Sequence, residues 1–326
     1  MHPVLVSGAA GFIGYRFVER CRKEGIPVVS VDAREHFAAR LEHRDVETGP
    51  IVDRHGLFDW LSASPRQLSG IVHLGACTDT TETDEALFAR DNVEYSKRLW
   101  TYATEHRLPF VYASSAATYG DGTLGYDDDE SLIKSLAPLN AYGRSKQAFD
   151  LWVLQQKTAP PAWSGWKFFN VYGYGERHKG HMASVVLHAF DQRHSGDAIR
   201  LFRSHRPGIA DGQQARDFID VGDVVSVLMF ALRKPVTRGI RNLGTGTART
   251  YLDLARAVCQ ALGLSEKIEY VDTPIEIRDK YQYFTQARME RLRQEGYREP
   301  FTILERGVAG YVKTLLDEPV RDRLSV

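Results

Sequence analysis

The sequence predicts an α/β chain: a doubly wound, parallel sheet joined to a smaller, discontinuous α/β lobe. Three observations predict it. Short apolar runs alternate with helical periodicity through the first half of the chain. A glycine-rich turn follows the first run directly. The second run ends on an acid, Asp32, 18 residues beyond the last glycine of that turn.

Val4-Leu-Val6 is a short apolar run that stops at glycines, as a buried strand does. Gly8-Ala-Ala-Gly11-Phe-Ile-Gly14 follows, then a helical pattern to about Lys23 that Gly25 closes. Val28–Val31 is the second strand. Strand, glycine turn, helix, strand, acid is the dinucleotide fingerprint in its proper order, and it makes the main domain a Rossmann domain. Gly8, Gly11 and Gly14 let the backbone approach a pyrophosphate, with the helix N-terminus facing its charge. Asp32 is placed to meet the adenosine ribose.

Gly70–Leu74 reads as a further parallel strand, followed by the turn Gly75-Ala-Cys-Thr78. A helix from about Asp91 to Tyr102 leads into the strand Leu108–Ala113. Ser114 and Ser115 then sit at a carboxyl end, where ligands bind in open α/β sheets. A helix after Tyr142 runs to about Gln156, and Gly165–Phe169 is a strand. Beyond Asn170 the pattern turns irregular. Residues 172–180 read as a loop, Met182–Arg193 as a helix, and Leu201–Gln214 as a polar stretch. Residues 216–225 read as a return to the main domain, and 241–246 as a strand and turn. The tail mixes helices with one short strand near 268–271. The expected division is 1–170 plus about 216–246 for the dinucleotide domain, and about 171–215 plus 247–326 for the smaller one.

Tyr142-Gly-Arg-Ser-Lys146 carries the chemistry. Residues four apart share a helix face, so Lys146 stands beside the Tyr142 phenol. A cation there favours the phenolate, lowering a pKa that is ordinarily ~10. Ser115 then hydrogen-bonds a substrate hydroxyl while Tyr142 takes its proton, which is what hydride removal from an alcohol requires.

The glycine turn, Ser115, Tyr142 and Lys146 resemble the extended short-chain dehydrogenase/reductase family, and within it the ADP-L-glycero-D-manno-heptose 6-epimerases. Matching blocks run nearly the whole chain: Gly11–Gly14, Gly75–Cys77, Tyr112–Gly120, Pro138–Tyr142, Phe169–Gly173, His178–Val185, Arg216–Phe218, Asn242–Gly246 and Tyr281–Gln286. The resemblance implies an isomerase that oxidises and re-reduces C6 of an ADP-heptose in lipopolysaccharide core biosynthesis. It implies NADP as cofactor, although Asp32 is the residue usual for NAD; Arg34 is a candidate partner for a 2′-phosphate. It further implies cofactor contacts from Phe12, Ile13, Ala33, Leu74, Gly75, Ala76, Cys77, Asn92 and Val171, besides Tyr142, Lys146 and Lys179.

Inversion at a carbinol carbon returns hydride to the other face, where the new oxygen lies beyond Tyr142. A second acid/base solves that problem, and the resemblance implies Lys179 for it. Substrate contacts carried over are Ser115, Asn170, His181, His188, Phe202, His205, Arg216 and Tyr281. The resemblance also implies a homo-oligomer, often a pentamer. The alternative is another nucleotide-sugar epimerase or a reductase of the same family. A 4,6-dehydratase needs an acid and a base just after the catalytic hydroxyl, and Ala116-Ala117 stand there instead.

Composition excludes other classes. Net charge is zero over 326 residues, without the clustered cations that grip nucleic acid. Three cysteines lie far apart, which excludes a disulfide framework and fits a reducing, cytoplasmic setting. Apolar runs fall short of the ~20 residues of a membrane helix. The histidines show no metal-ligand spacing, and His73, in a strand, reads as a core residue.

Overall fold

The computed structural model describes residues 2–63, 67–234, 238–278 and 281–317. Among these residues the main sheet is parallel and seven-stranded, ordered β10-β6-β5-β4-β1-β2-β3. Its strands are β1 (Val4–Ser7), β2 (Val28–Asp32), β3 (Ile51–Asp53), β4 (Gly70–His73), β5 (Phe110–Ser115), β6 (Trp163–Phe168) and β10 (Gly239–Leu243). The chain reverses direction across the sheet between β1 and β4, and in such sheets that crevice takes the ligand. The sequence signals β1, β2 and β4 well. It places β6 two residues late, because Trp163 and Ser164 lack a strand-like alternation, and it gives no sign of β3.

β1 and β2 are buried throughout, which is why they read as continuous apolar runs rather than alternating ones. The helix Phe12–Lys23 buries Phe17, Val18 and Cys21 against them. The helix Val221–Arg233 packs beside it, with Cys21 Sγ 3.8 Å from Met229 Sδ. On the other face Trp100 meets Phe110 and Trp163 edge to face, at centroid distances of 5.6 and 5.2 Å.

β7 (Asn170–Tyr172) follows β6 after a single residue and leaves the main sheet. It pairs in parallel with β9 (Ala215–Asp220), which pairs antiparallel with β11 (Ala248–Thr250). β8 (Ile199–Phe202) and β12 (Ile268–Val271) form a separate parallel pair. A second apolar core lies here, built from Tyr172, Val186, Phe190, Leu254, Val258, Val308 and Val312. Ala287, Met289, Leu292 and Tyr297, within the stretch expected in the smaller lobe, pack on the larger core. Buried Asp217 ties the parts together. Its carboxylate accepts hydrogen bonds from the amides of Thr245, Gly246 and Ala287.

The first turn is held by two glycines with no room for a side chain. Gly8 has φ +73°, and a Cβ there would lie 2.5 Å from the Gly75 amide nitrogen, where the β1 and β4 turns touch. A Cβ on Gly14 would lie 2.0 Å from the Gly8 carbonyl oxygen. Gly14→Ala is therefore expected to cost roughly 1–3 kcal/mol through overpacking, read as a lower midpoint in urea with an unchanged slope. An unchanged midpoint would show that the turn relaxes freely.

Candidate active site

A cavity of about 700 Å³ opens over the carboxyl ends of β1, β4, β5 and β6. Its floor is the glycine turn. Gly8, Gly11, Phe12, Ile13 and Gly14 line it, and the N-cap Gly11 leaves the first amides of the helix Phe12–Lys23 without a side-chain cap. Such amides are orphaned and favour an anion. Asp32 lines the same wall and is tied in place. Its carboxylate accepts from the Ala10 amide at 3.1 Å and the Ala33 amide at 2.8 Å, and it pairs with His36 Nδ1 at 2.9 Å.

Arg34 does not reach this wall. Its guanidinium donates to the Ile51 carbonyl at 3.2 Å, because the helix Arg34–Ala39 turns its first residue toward β3. The basic side chains that line the cavity there are His36, Arg40, Arg54 and His55. The sequence reading missed them because it saw no helix over 34–39. Ala33 is buried behind Asp32, outside the cavity lining.

The β4 turn supplies Leu74, Gly75, Ala76 and Cys77 to the cavity. Asn92 holds that turn from behind. Its Oδ1 accepts from the Cys77 amide at 2.8 Å, and its Nδ2 donates to the Cys77 carbonyl and to Ser145 Oγ, each at 2.9 Å. Asn92 sits in a π-helical turn, Ala89–Glu94, a local widening that often marks functional sites. Below it, His73 bridges Ser7 Oγ at 2.5 Å and Ser96 Oγ at 2.7 Å. Burial lowers its pKa to about 3, so it stays neutral in the core.

Ser115, Tyr142 and Lys146 converge on the β5 side. Asn140 caps the helix Ala141–Leu154 through the Gly143 amide at 2.7 Å, placing Tyr142 in the first turn and Lys146 one turn on. Tyr142 is hydrogen-bonded to Ser115. Lys146 Nζ donates to the Ala113 carbonyl at 3.0 Å and lies 5.9 Å from the centre of the Tyr142 ring. Burial lowers the Lys146 pKa to about 8.

The electrostatics differ from the sequence expectation. Burial holds the Tyr142 phenol above its ordinary range, and only the Ser115 hydrogen bond pulls it back. Dehydration outweighs the ammonium one turn away. Behind the group, Asp150 accepts from Tyr112 at 3.0 Å and Ser114 at 2.7 Å, and pairs with Lys167 at 3.1 Å.

Lys179 enters the cavity from the loop between β7 and the helix Val185–His194. Its Nζ lies 5.4 Å from the centre of the Phe12 ring and 3.8 Å from Glu176. Its side chain is 26 % exposed, yet enclosure by the loop lowers its pKa, with Glu176 opposing the shift. Glu176 is fully buried and accepts from the Ser184 amide at 2.8 Å and Ser184 Oγ at 2.6 Å. No sequence pattern marked Glu176, although it anchors the loop that presents Lys179.

Asn170, Val171 and His181 also line the cavity. His188, Phe202, His205, Arg216 and Tyr281 do not. Arg216 is buried with its guanidinium 5.6 Å from the Tyr251 ring centre and 5.3 Å from that of Tyr281. Its donors go to the carbonyls of Ala215 and Gln282. Phe202 meets Tyr281 edge to face at 6.0 Å. Tyr251, which does line the cavity, joins this aromatic group to it. The His205 amide donates to Tyr283 Oη at 3.0 Å. A further grouping, Glu42, His43 and His178, brings potential ligand atoms within 4.8 Å of one another; sequence separation hid it.

The parallel sheet with its glycine turn at the cavity floor is a Rossmann-type dinucleotide fold. The chain belongs to the NAD dependent epimerase/dehydratase family, whose model matches residues 4–244. It is 41 % identical over 324 residues to the ADP-L-glycero-D-manno-heptose-6-epimerase of Fusobacterium nucleatum, covering 96 % of this chain and 98 % of that one. Its fold is similar to the crystal structure of the Helicobacter pylori ADP-L-glycero-D-manno-heptose-6-epimerase, with a TM-score of 0.79, 24 % identity and 97 % of each chain covered. It is also similar to MoeE5 in complex with UDP-glucuronic acid and NAD, with a TM-score of 0.76, 26 % identity, and 96 % and 99 % of the two chains covered. Among the described residues, no helix is long and apolar enough to cross a membrane.

Proposed function

We propose that this protein interconverts ADP-D-glycero-D-manno-heptose and ADP-L-glycero-D-manno-heptose by transient oxidation at C6. The observation that carries this reading is the placement of two proton-transferring groups in one cavity. Tyr142 comes from the main sheet's flank and Lys179 from the loop after β7. A one-directional reductase needs one of them; inversion of a carbinol uses both.

The cavity fits a nicotinamide dinucleotide. The uncapped helix amides above Gly11 suit a pyrophosphate, and Asp32 is fixed where a ribose hydroxyl needs an acceptor. When bound, the dinucleotide supplies a hydride acceptor and donor at its nicotinamide ring. Ser115 orients the C6 hydroxyl, and Tyr142 exchanges the proton on one face. Lys146 supports the charge that forms on the phenol oxygen. Lys179 exchanges the proton when the oxygen lies on the other face. Ala116 and Ala117 follow Ser115 without an acid or base, so elimination of water has no driver.

The preferred dinucleotide is NADP, held at its 2′-phosphate by Arg40 with His36 and not by Arg34. Hydrogen bonds to charged groups are worth ~1.5–3 kcal/mol, about 10–100-fold. Arg40→Ala is therefore expected to weaken NADP that much relative to NAD, and Arg34→Ala to change the ratio less than about 2-fold by the same reasoning. Equal effects of the two changes on competitive binding would refute the assignment. The subunits are proposed to form a homo-oligomer working in the cytoplasm, which sedimentation and fractionation test.

Two measurements test the main reading. Denatured protein is expected to release NADP(H). Proton NMR of the loaded enzyme with the D-glycero substrate is expected to show the C6 epimer growing in without net change in cofactor redox state. Absence of the C6 epimer would exclude the reading.

A further inference from the structure

Lys179 stands on a loop that the main domain grips from outside the cavity. The grip is Glu42, in the short turn Leu41–His43. Its side chain is 7 % exposed, and both carboxylate oxygens go to the loop. One accepts from His178 Nδ1 at 2.8 Å, and the other from the Arg177 amide at 3.3 Å. A buried carboxylate is costly unless hydrogen bonds and opposite charge offset its dehydration. Here they do. Burial pushes the Glu42 pKa up, but His178, His43 and the Arg177 amide together hold it below the usual carboxylate range.

The residues flanking Glu42 touch the dinucleotide floor. Arg40 lines the cavity and donates to the Ala10 carbonyl within the glycine turn. His43 stacks on Tyr15 of the helix that follows that turn, at 3.7 Å and 8°. It also meets His178 edge-on at 5.5 Å. From the other side, Glu176 fixes the loop to Ser184. Lys179 is the next residue after His178, and Gly180, with φ +53°, breaks the turn just beyond it. One short segment thus contacts both the glycine turn and the base of the Lys179 loop.

We propose that Glu42 is a positioning residue for Lys179, and that residues 40–43 transmit the placement of the dinucleotide floor to the second acid/base. The proposal rests on the role given above to Lys179. The same three side chains could instead enclose a divalent cation. Arg40 repels a proton on either imidazole, as Lys179 does on His178, and both would repel a metal ion equally. A hydrogen-bonded tether from the Glu42 carboxylate to His178 and the Arg177 amide fits the surrounding charge better.

The test uses the full chain with Glu42→Gln, which keeps volume and loses the charge, and His178→Asn as a second variant. Both are expected to lower kcat about 10–100-fold, the worth of a charge-assisted hydrogen bond, with KM within about 3-fold. Hydrogen exchange of residues 176–183 in the cofactor-free protein is expected to rise about 10-fold or more, with exchange in β1 and β5 unchanged. Wild-type kcat together with wild-type exchange in both variants would overturn the proposal. So would one zinc ion per chain that survives dialysis after loading with zinc chloride alone and is lost in Glu42→Gln. Lys179→Met separates the two readings. If it keeps full turnover, the role of Lys179 fails, while the exchange measurement still decides whether Glu42 holds the loop.

Discussion

Tyr142→Phe is expected to lower the rate of C6 inversion by about 10²–10⁴-fold, the usual contribution of a positioned acid/base. The ring stays, so packing around the cavity stays. What goes is the hydroxyl bonded to Ser115. Burial keeps that phenol protonated at neutral pH in the free enzyme, so the group begins as a proton donor. In the proposed reaction it becomes a base only when substrate and Lys146 together stabilise the phenolate. Losing one hydrogen bond costs about 1 kcal/mol, roughly 1–2 degrees in thermal midpoint at this size. An initial rate by NMR within 10-fold of wild type would show that the proton leaves by another route.

Lys146→Met has the second large effect, and it moves activity and stability in opposite directions. The ammonium is buried, and its pKa falls from 10.5 to about 8 because burial penalises the charge. Below pH 8 the lysine is charged in both folded and unfolded protein, and the full cost of burying that charge is present. Between about 8 and 10.5 the unfolded chain keeps its proton while the folded chain sheds it, so this contribution to stability improves as pH rises. Methionine removes the charge at every pH. At pH 7 the variant is expected to be more stable than wild type by on the order of 1–3 kcal/mol, with the gain shrinking toward pH 10. Turnover is expected to fall at least about 100-fold, since the phenolate loses its cation. Wild-type turnover is likewise expected to decline as pH rises through about 8. A variant less stable than wild type at pH 7 would mean that the Ala113 hydrogen bond outweighs the dehydration.

Much of this was legible because it is local. The glycine turn, the strand ends and the Tyr-x-x-x-Lys spacing each depend on residues within a few positions of one another. What the sequence concealed is long-range. Arg34 looked like the cation nearest the cofactor acid, but a six-residue helix, Arg34–Ala39, sends it to β3 and brings His36 and Arg40 forward. β7 and β9 pair across more than forty residues, so no strand was legible just beyond Asn170, where 172–180 read as loop, and 216–225 read only as a return to the main domain. Glu42 meets His178 at a separation of 136 residues, and no spacing rule reaches that far. The Tyr142 environment was misread for a different reason. Helical spacing gives the neighbouring charge but not the degree of dehydration, and dehydration prevails.

The buried Asp150–Lys167 pair has a consequence for assembly. Asp150 lies on the same helical stripe as Tyr142 and Lys146, two turns and one turn along. A slip of that helix by one residue would rotate Tyr142 by about 100°, away from Ser115. The same slip would strip Asp150 of Tyr112, Ser114 and Lys167 at once, stranding two charges in the core. Removing one partner of such a pair costs about 3–5 kcal/mol. The chain therefore carries its own proofreading of register: any fold in which the reagents are misaligned is one in which the core is electrically uncompensated.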